Sequence, residues 1–190
     1  MKSRRINIDG VGDVLLERSV RAKYLNLSVR PFEGARVAVP PGITFASAAA
    51  FAASKAAWIK NRLQSMSRME QCADHVRRTK PFDPRAARRQ LIERTEILAA
   101  RHGFSFRRIF IRRQRTRWGS CSHQNNINLN INLVLLPPEL TDYIILHELV
   151  HTRVKHHGPA FWRELGRLVH RPRELDRRLD RYRALLAGAR

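Results

Sequence analysis

The sequence has few of the features that mark membrane or secreted proteins. It contains no run of about 18 apolar residues, which a membrane-spanning helix would need. Its 2 cysteines, Cys72 and Cys121, do not form a Cys-x-x-Cys pair, which argues against a disulfide-rich scaffold. The basic opening residues have no apolar stretch behind them. We therefore expect no secretory signal, no membrane partner and a cytoplasmic protein.

Acidic residues are also scarce, since 16 Asp and Glu stand against 37 Lys and Arg, for a formal net charge of +21. A surplus of this size attracts polyanions such as nucleic acids. Six arginines cluster in one part of the chain: Arg107, Arg108, Arg112, Arg113, Arg115 and Arg117. No helix-turn-helix, zinc-finger or aromatic stacking motif accompanies them. We expect at most weak, non-specific nucleic acid binding, and the oligomeric state stays open.

The first 70 residues have the pattern of strands followed by a helix. Four short segments have the composition or alternation of strands: 4–9, 13–18, 25–30 and 36–39. The first two flank Gly10-Val11-Gly12 and predict a β-hairpin. Thr44 is a candidate N-cap for an Ala-rich helix over 45–69. Residues 1–70 are therefore predicted to form a small N-terminal β-rich module.

Residues 71–83 lack periodicity and contain Pro81, which predicts a connecting segment. After it, a helix over 84–101 should end at His102-Gly103. Three strands are predicted next, followed by a helix with Thr141 or Pro138 near its beginning and by two C-terminal helices. Their ranges are 106–112, 115–121 and 127–134 for the strands and 159–169 and 172–186 for the last helices. The chain is thus predicted to be α+β, with a short antiparallel sheet in its second part.

The strongest functional signal is His147-Glu148-Leu149-Val150-His151, in a predicted helix. Residues four apart share one face of a helix, so both imidazoles can bind the same metal ion. Zinc accepts neutral imidazoles, and Glu148 can face the attacking water instead of the metal. The apolar residues 143–146 indicate a buried helix, where these polar groups would be costly without a partner. The pattern predicts a zinc site with Glu148 as the catalytic base.

A catalytic zinc usually has three protein ligands, so a third must lie elsewhere. His157 follows His151 by six residues, as in the metzincins, but Val154 occupies the place where those enzymes have glycine. The chain is therefore not a metzincin, and a different turn must bring His157 back. His156 and Glu174 are the alternatives that the spacing leaves open.

Two motifs in this order resemble the YgjP-like, SprT-related zinc metallopeptidases, also called minigluzincins. One is Arg117-Trp118-Gly119-Ser120-Cys121-Ser122, and the other runs from Ile127 to Trp162 through the His-Glu-x-x-His helix. The resemblance is strong over most of 80–185 and weaker before it. It implies a zincin-like catalytic domain over 84–190.

The same resemblance implies a zinc-dependent metallopeptidase that hydrolyses peptide bonds of a protein or peptide substrate, with Zn²⁺ as cofactor. The implied ligands are His147, His151 and His157. His156 stands where the family usually has Asn. Glu148 would act first as base and then as acid. The alternative is a basic nucleic-acid-associated protein with a structural zinc, or a peptidase that acts on DNA-bound proteins.

Three further features each have a structural and a functional interpretation. Segment 117–122 could align an extended substrate along a strand edge, or Gly119 could let a strand approach the active-site helix closely. Phe161 and Trp162 could pack the turn against the core or line a substrate pocket. Tyr143, one turn before His147, could reach the site.

Overall fold

A computed structural model describes residues 2–80 and 83–187 of the chain. The chain divides into two units, Met1–Gln71 and Cys72–Arg190. Both units combine helices with strands, so the α+β prediction is confirmed. Across the described ranges, every helix is either too short or too polar to cross a membrane.

The first unit is built on a four-stranded sheet of order β1-β2-β4-β3. Its strands are β1 (Ser3–Ile8), β2 (Gly12–Arg18), β3 (Asn26–Arg30) and β4 (Gly34–Val39). β1 and β2 form the predicted antiparallel hairpin, and Gly10, with φ +68, allows its turn. β2 and β4 are parallel, whereas β3 and β4 are antiparallel. Alternate residues of β2 and β4 are buried and form the core: Val14, Leu16, Ala35, Val37 and Val39.

The Ala-rich segment forms two helices, α1 (Phe45–Ser54) and α2 (Ala56–Thr79), where one was expected. Thr44 caps α1 as predicted, because its Oγ1 accepts a hydrogen bond from the backbone N–H of Ser47 at 3.0 Å. Ala48 and Ala52 of α1 are fully buried against the sheet of the same unit.

The expected connecting segment at 71–83 is largely helical, because α2 continues to Thr79. Ala73 is fully buried, and the Arg77 guanidinium donates to backbone carbonyls near residue 185. These tertiary contacts keep the helix intact beyond the end that periodicity suggests. Pro81 lies outside the described residues.

Helix α3 (Pro84–His102) follows α2 in the second unit. The Asp83 carboxylate accepts hydrogen bonds from the N–H groups of Arg85 and Ala86, and so caps the helix. Gly103, with φ +66, ends it at the predicted place.

A three-stranded sheet follows, with β5 (Arg108–Arg112), β6 (Gly119–Cys121) and β7 (Asn126–Asn130) in the order β5-β7-β6. The prediction of an antiparallel sheet was wrong for one pair, because β5 and β7 are parallel. The chain between them carries β6 to the far side of β7 and returns through a hairpin. The sheet is therefore mixed.

The strand predicted to reach residue 134 ends at Asn130, and a 3-10 helix, Ile131–Leu135, replaces the rest. The buried Asn130 side chain causes this. Its Oδ1 accepts from the N–H of Asn132 at 3.1 Å, and its Nδ2 donates to the carbonyls of Gln114 and Arg117 at 2.7 and 3.2 Å. A side chain that is satisfied in this way starts a turn where alternation predicts an extended chain.

Helix α4 (Pro138–Val150) is the central helix of the second unit and begins at the predicted Pro138. It is apolar on most sides and carries many of the core residues: Leu140, Ile144, Ile145, Leu146, Leu149 and Val150. α5 (Pro159–Leu168) follows. The helix predicted at 172–186 is divided into α6 (Pro172–Leu179), a 3-10 turn and α7 (Ala184–Ala187).

Candidate metal centre

Three imidazoles converge at the C-terminal end of α4. Nε2 of His157 lies 2.9 Å from Nε2 of His147 and 3.1 Å from Nε2 of His151. Three nitrogens that share one tetrahedral zinc at about 2.0–2.1 Å are about 3.3 Å apart. The donor set therefore fits a single zinc ion. His156 and Glu174, which the spacing left open, are not part of this group of donors.

The electrostatics of the cluster favour neutral imidazoles. The N–H at Nδ1 of His151 donates to the carbonyl of Val154 at 2.9 Å, which leaves the lone pair on Nε2. Burial, followed by the neighbouring His151 and His157, lowers the pKa of His147 to about 3. Burial also lowers the pKa of His151. Neutral imidazole is the form that binds a metal, so these residues are ready to bind one at neutral pH.

A turn without glycine brings His157 back to α4. Lys155 holds this turn, because its Nζ donates to the carbonyl of Ser122 at 2.9 Å and to Oδ1 of Asn125 at 2.6 Å. Both acceptors lie in the turn between β6 and β7. The segment from His151 to His157, which we name the ligand loop, is therefore attached to the sheet.

Phe161 forms the back of the cluster. It is fully buried, and its ring centroid lies 4.8, 4.5 and 4.7 Å from the rings of His147, His151 and His157. The geometry therefore supports the interpretation in which Phe161 packs the turn against the core, and not the one in which it lines a substrate pocket. An apolar wall here keeps water from the rear of the imidazoles and fixes their orientation.

Glu148 is buried and lies against Gly119 of β6. Its side chain is 6% exposed, and Oε2 has no hydrogen-bond partner among the described residues. A Cβ on Gly119 would be 2.6 Å from Oε1 and 2.7 Å from Cγ of Glu148. Gly119 thus permits the close approach of strand and helix that one interpretation of the 117–122 segment anticipated.

The pKa of Glu148 is raised by burial from its ordinary value of 4.5 to about 8, and the positive charge of Arg117 partly opposes this rise. A carboxylate with a pKa near neutrality can both take up and release a proton. Such a group is suited to general acid–base chemistry.

The hydroxyl of Tyr143 forms its hydrogen bond with Asp176 and not with an imidazole. Its ring lies 6.0 Å from the ring of His147, and its hydroxyl donates to Oδ1 of Asp176 at 3.4 Å. Burial and the charge of Asp176 raise the pKa of Tyr143. Asp176 has no motif of its own, because its contact with Tyr143 depends on how α6 packs against α4. Phe161, in contrast, lies within the motif that ends at Trp162.

A comparison with protein-family models finds the YgjP-like metallopeptidase domain over residues 70–182, more than half of the chain. No curated protein matches the chain. Among solved structures, the crystal structure of the metallopeptidase zymogen of Pyrococcus abyssi abylysin is 25% identical, with a TM-score of 0.42. That match covers 47% of this chain and 91% of the abylysin chain. On the strength of the family match, the chain belongs to the YgjP-like family and contains its metallopeptidase domain.

Proposed function

We propose that the chain is a zinc-dependent peptidase in which His147, His151 and His157 hold the metal and Glu148 is the catalytic base. The convergence of three Nε2 atoms on one point carries this proposal. The hydrogen bond that fixes the tautomer of His151 supports it. So does Oε2 of Glu148, which is buried and has no hydrogen-bond partner among the described residues. A structural zinc site would have no need of that buried carboxylate and would close its fourth position with Cys or His.

Zinc, when bound, makes a water molecule more acidic and polarises the carbonyl under attack. The protein supplies the proton transfers. Oε2 of Glu148, which makes no other hydrogen bond among the described residues, accepts the proton of the attacking water. The same oxygen then returns the proton to the amine that leaves. Gly119 has no side chain, and the Glu148 carboxylate occupies the space where a Cβ of residue 119 would lie.

The substrate is proposed to be an extended peptide that pairs with β6. Within the described sheet, β6 has β7 as its partner on one side, which leaves its other edge for an added strand. This edge contains Gly119 and is therefore next to Glu148. The functional interpretation of segment 117–122 thus accompanies the structural one, since one strand can support the base and align the substrate.

Hydrolysis of an unfolded protein tests the proposal. The zinc-loaded chain should cleave it, and Glu148→Gln should retain zinc while losing turnover. Glu139→Gln is the matched control, because Glu139 is an exposed residue of the same helix and pairs with Arg178 at 2.8 Å. Cleavage by Glu148→Gln at the rate of Glu139→Gln would show that Glu148 is not the base.

Weak, non-specific binding of nucleic acid is a separate proposal. Arg108 and Arg112 are exposed at the ends of β5, an edge strand, and Arg113 and Arg117 are exposed in the connection to β6. Arginines on an exposed strand and loop suit contacts with phosphate groups but not the reading of bases. A peptidase that acts on DNA-bound proteins is the variant of the function that this surface favours.

We also propose a cytoplasmic location. Cys72 and Cys121 are both free thiols in the structure. Unpaired thiols of this kind persist in a reducing compartment.

A further inference from the structure

A cleft of about 520 Å³ lies between α5 and α6, beside the metal centre. Its lining residues are Trp162 and Gly166 of α5, Arg171 just before α6, and Pro172, Arg173, Glu174 and Arg177 of α6. Trp162, Arg173 and Arg177 also line an adjoining space of about 420 Å³, together with Asp176. Trp162 and the two arginines therefore form a wall shared by both spaces, and we call the whole the α5–α6 cleft.

Both sides of this cleft are connected to proposed metal ligands. On one side, Nε1 of Trp162 donates to the carbonyl of His157 at 3.1 Å. On the other, Asp176 accepts from the hydroxyl of Tyr143, whose ring lies 6.0 Å from that of His147. Residues of the α5–α6 cleft therefore contact the backbone of the proposed ligand His157 and, through Tyr143, adjoin the proposed ligand His147.

Three arginines and two carboxylates line the α5–α6 cleft. Arg171 pairs with Glu174, and Asp176 accepts a hydrogen bond from Tyr143. The positive charge that has no ion-pair partner among the described residues is therefore that of Arg173 and Arg177. Arg173 and Arg177 are four residues apart on α6, so they share a face of the helix. Among residues 83–187, the nearby ion pairs are Arg171–Glu174 at 3.5 Å, Arg178–Glu139 and Arg183–Asp180, and none of these includes Arg173 or Arg177. Both side chains are exposed.

Trp162 adds an apolar surface to this positive charge. The guanidinium of Arg173 lies over its indole ring at 5.0 Å from the centroid, which limits the conformations of the arginine. A guanidinium held beside an aromatic ring presents a fixed pair of N–H donors and is partly shielded from water. Carboxylates match this donor geometry.

We infer that the α5–α6 cleft binds a carboxylate of the substrate next to the scissile bond, with Arg173 and Arg177 as specificity-determining residues. The carboxylate is that of an Asp or Glu side chain or of the peptide C-terminus. This inference rests on the proposed peptidase function for its biological meaning, but the carboxylate site itself can be measured without catalysis.

Binding is measured with zinc-loaded Glu148→Gln and short labelled peptides by fluorescence anisotropy at about 150 mM salt, where diffuse attraction is screened. The peptides contain Glu or Gln at one position and have a free or amidated C-terminus, so the two sources of carboxylate are distinguished. A carboxylate should strengthen binding about tenfold or more. Arg173→Gln and Arg177→Gln should each remove most of that gain.

Arg181→Gln is the matched control, because Arg181 is an exposed arginine in the 3-10 turn after α6. It should keep the preference for the carboxylate. Equal affinity for charged and neutral peptides would overturn the inference, and so would an equal loss of preference in Arg181→Gln. Binding of an oligonucleotide through Arg173 and Arg177 without any peptide preference would make the cleft a phosphate site and would also overturn it.

Kinetics separate this inference from the proposed function. With otherwise wild-type enzyme, Arg177→Gln should lower kcat/KM about tenfold more for the carboxylate peptide than for the neutral peptide. If wild type cleaves both peptides equally well, the peptidase stands and the carboxylate site is wrong. If wild type cleaves neither, but Glu148→Gln binds the carboxylate through the two arginines, the site stands and the peptidase proposal fails.

Discussion

The carboxylate of Glu148 lies directly against the α-carbon of Gly119. A methyl group on that carbon would be 2.6 Å from Oε1, 2.7 Å from Cγ and 2.9 Å from Cδ of Glu148, all closer than real Cβ atoms come to other atoms. Because Glu148 is buried in a close-packed interior, its carboxylate cannot move away from such a methyl group without displacing neighbouring atoms.

Gly119→Ala should therefore displace the carboxylate and lower kcat by about 100-fold, the scale on which a misplacement of about 1 Å acts. Zinc content should stay near that of wild type, since the three atoms nearest to the added methyl group all belong to Glu148 and none to an imidazole. Gly158→Ala is the matched control, because a Cβ on Gly158 meets nothing within 4 Å although it adjoins His157. Steady-state kinetics measure kcat, and elemental analysis measures the zinc content. Wild-type activity in Gly119→Ala would show that the position of the Glu148 carboxylate does not depend on glycine at residue 119.

The proposed third ligand predicts a difference between two adjacent histidines. His157→Ala should reduce bound zinc from about one ion per chain and weaken its affinity by at least about 10-fold, because it removes one of three donors. His156→Ala should keep its zinc, since His156 is exposed and is not in the donor group. Metal analysis after dialysis against a weak chelator measures both. Zinc lost from His156→Ala but retained in His157→Ala would reverse the assignment.

The buried carboxyl of Glu148 makes the stability of the metal-free protein depend on pH. Its pKa is about 8 in the folded chain, against an ordinary value of 4.5. The folded state therefore holds more protons than the unfolded state between these values, and this group makes folding less favourable as pH rises through that window. Glu148→Gln, which stays neutral, should equal wild type near pH 4.5 and be more stable at pH 8.

The difference should grow by at most about 1.4 kcal/mol for each pH unit within the window. The lowered pKa values of His147 and His151 act on both proteins alike and cancel in the comparison. Urea unfolding of chelator-treated protein at several pH values measures the difference. A constant gap from pH 4.5 to pH 8 would mean that burial does not raise the pKa of Glu148 in the folded chain.

The exposed arginines of β5 and its connection to β6 predict a salt-dependent interaction with DNA. Replacing Arg108, Arg112 and Arg113 by Glu should make the slope of log affinity against log salt shallower, by about 0.9 for each phosphate group that the protein no longer neutralises. Hydrolysis of a short neutral peptide should not change. Tight, sequence-specific binding at about 150 mM salt would contradict the proposal of weak binding and favour a nucleic-acid function.

Local sequence was sufficient to predict α4 and the spacing of its two histidines. Helical periodicity, the proline at its start and the four-residue offset all act within a few turns of one element. The hairpin at Gly10 and the caps at Thr44 and Gly103 were predicted for the same reason. Which residues bind a metal is still a prediction, although the structure brings His147, His151 and His157 together.

The errors occurred where distant parts of the chain decide the conformation. β7 ends early because Asn130 donates to carbonyls 13 and 16 residues away, which alternation does not reveal. α2 continues because Arg77 reaches carbonyls more than 100 residues later. The parallel pairing of β5 with β7 follows from the order of strands, which a single sequence does not specify. Long-range hydrogen bonds of this kind override local preference.

Lys155 contacts no proposed ligand, yet it joins the ligand loop to the turn between β6 and β7 through Ser122 and Asn125. The conformational entropy of the ligand loop is therefore lost when the chain folds and not when an ion arrives. A preorganised site of this kind binds its metal more tightly than a flexible loop with the same three imidazoles. Affinity for zinc thus depends partly on a lysine that keeps a peptide segment in place.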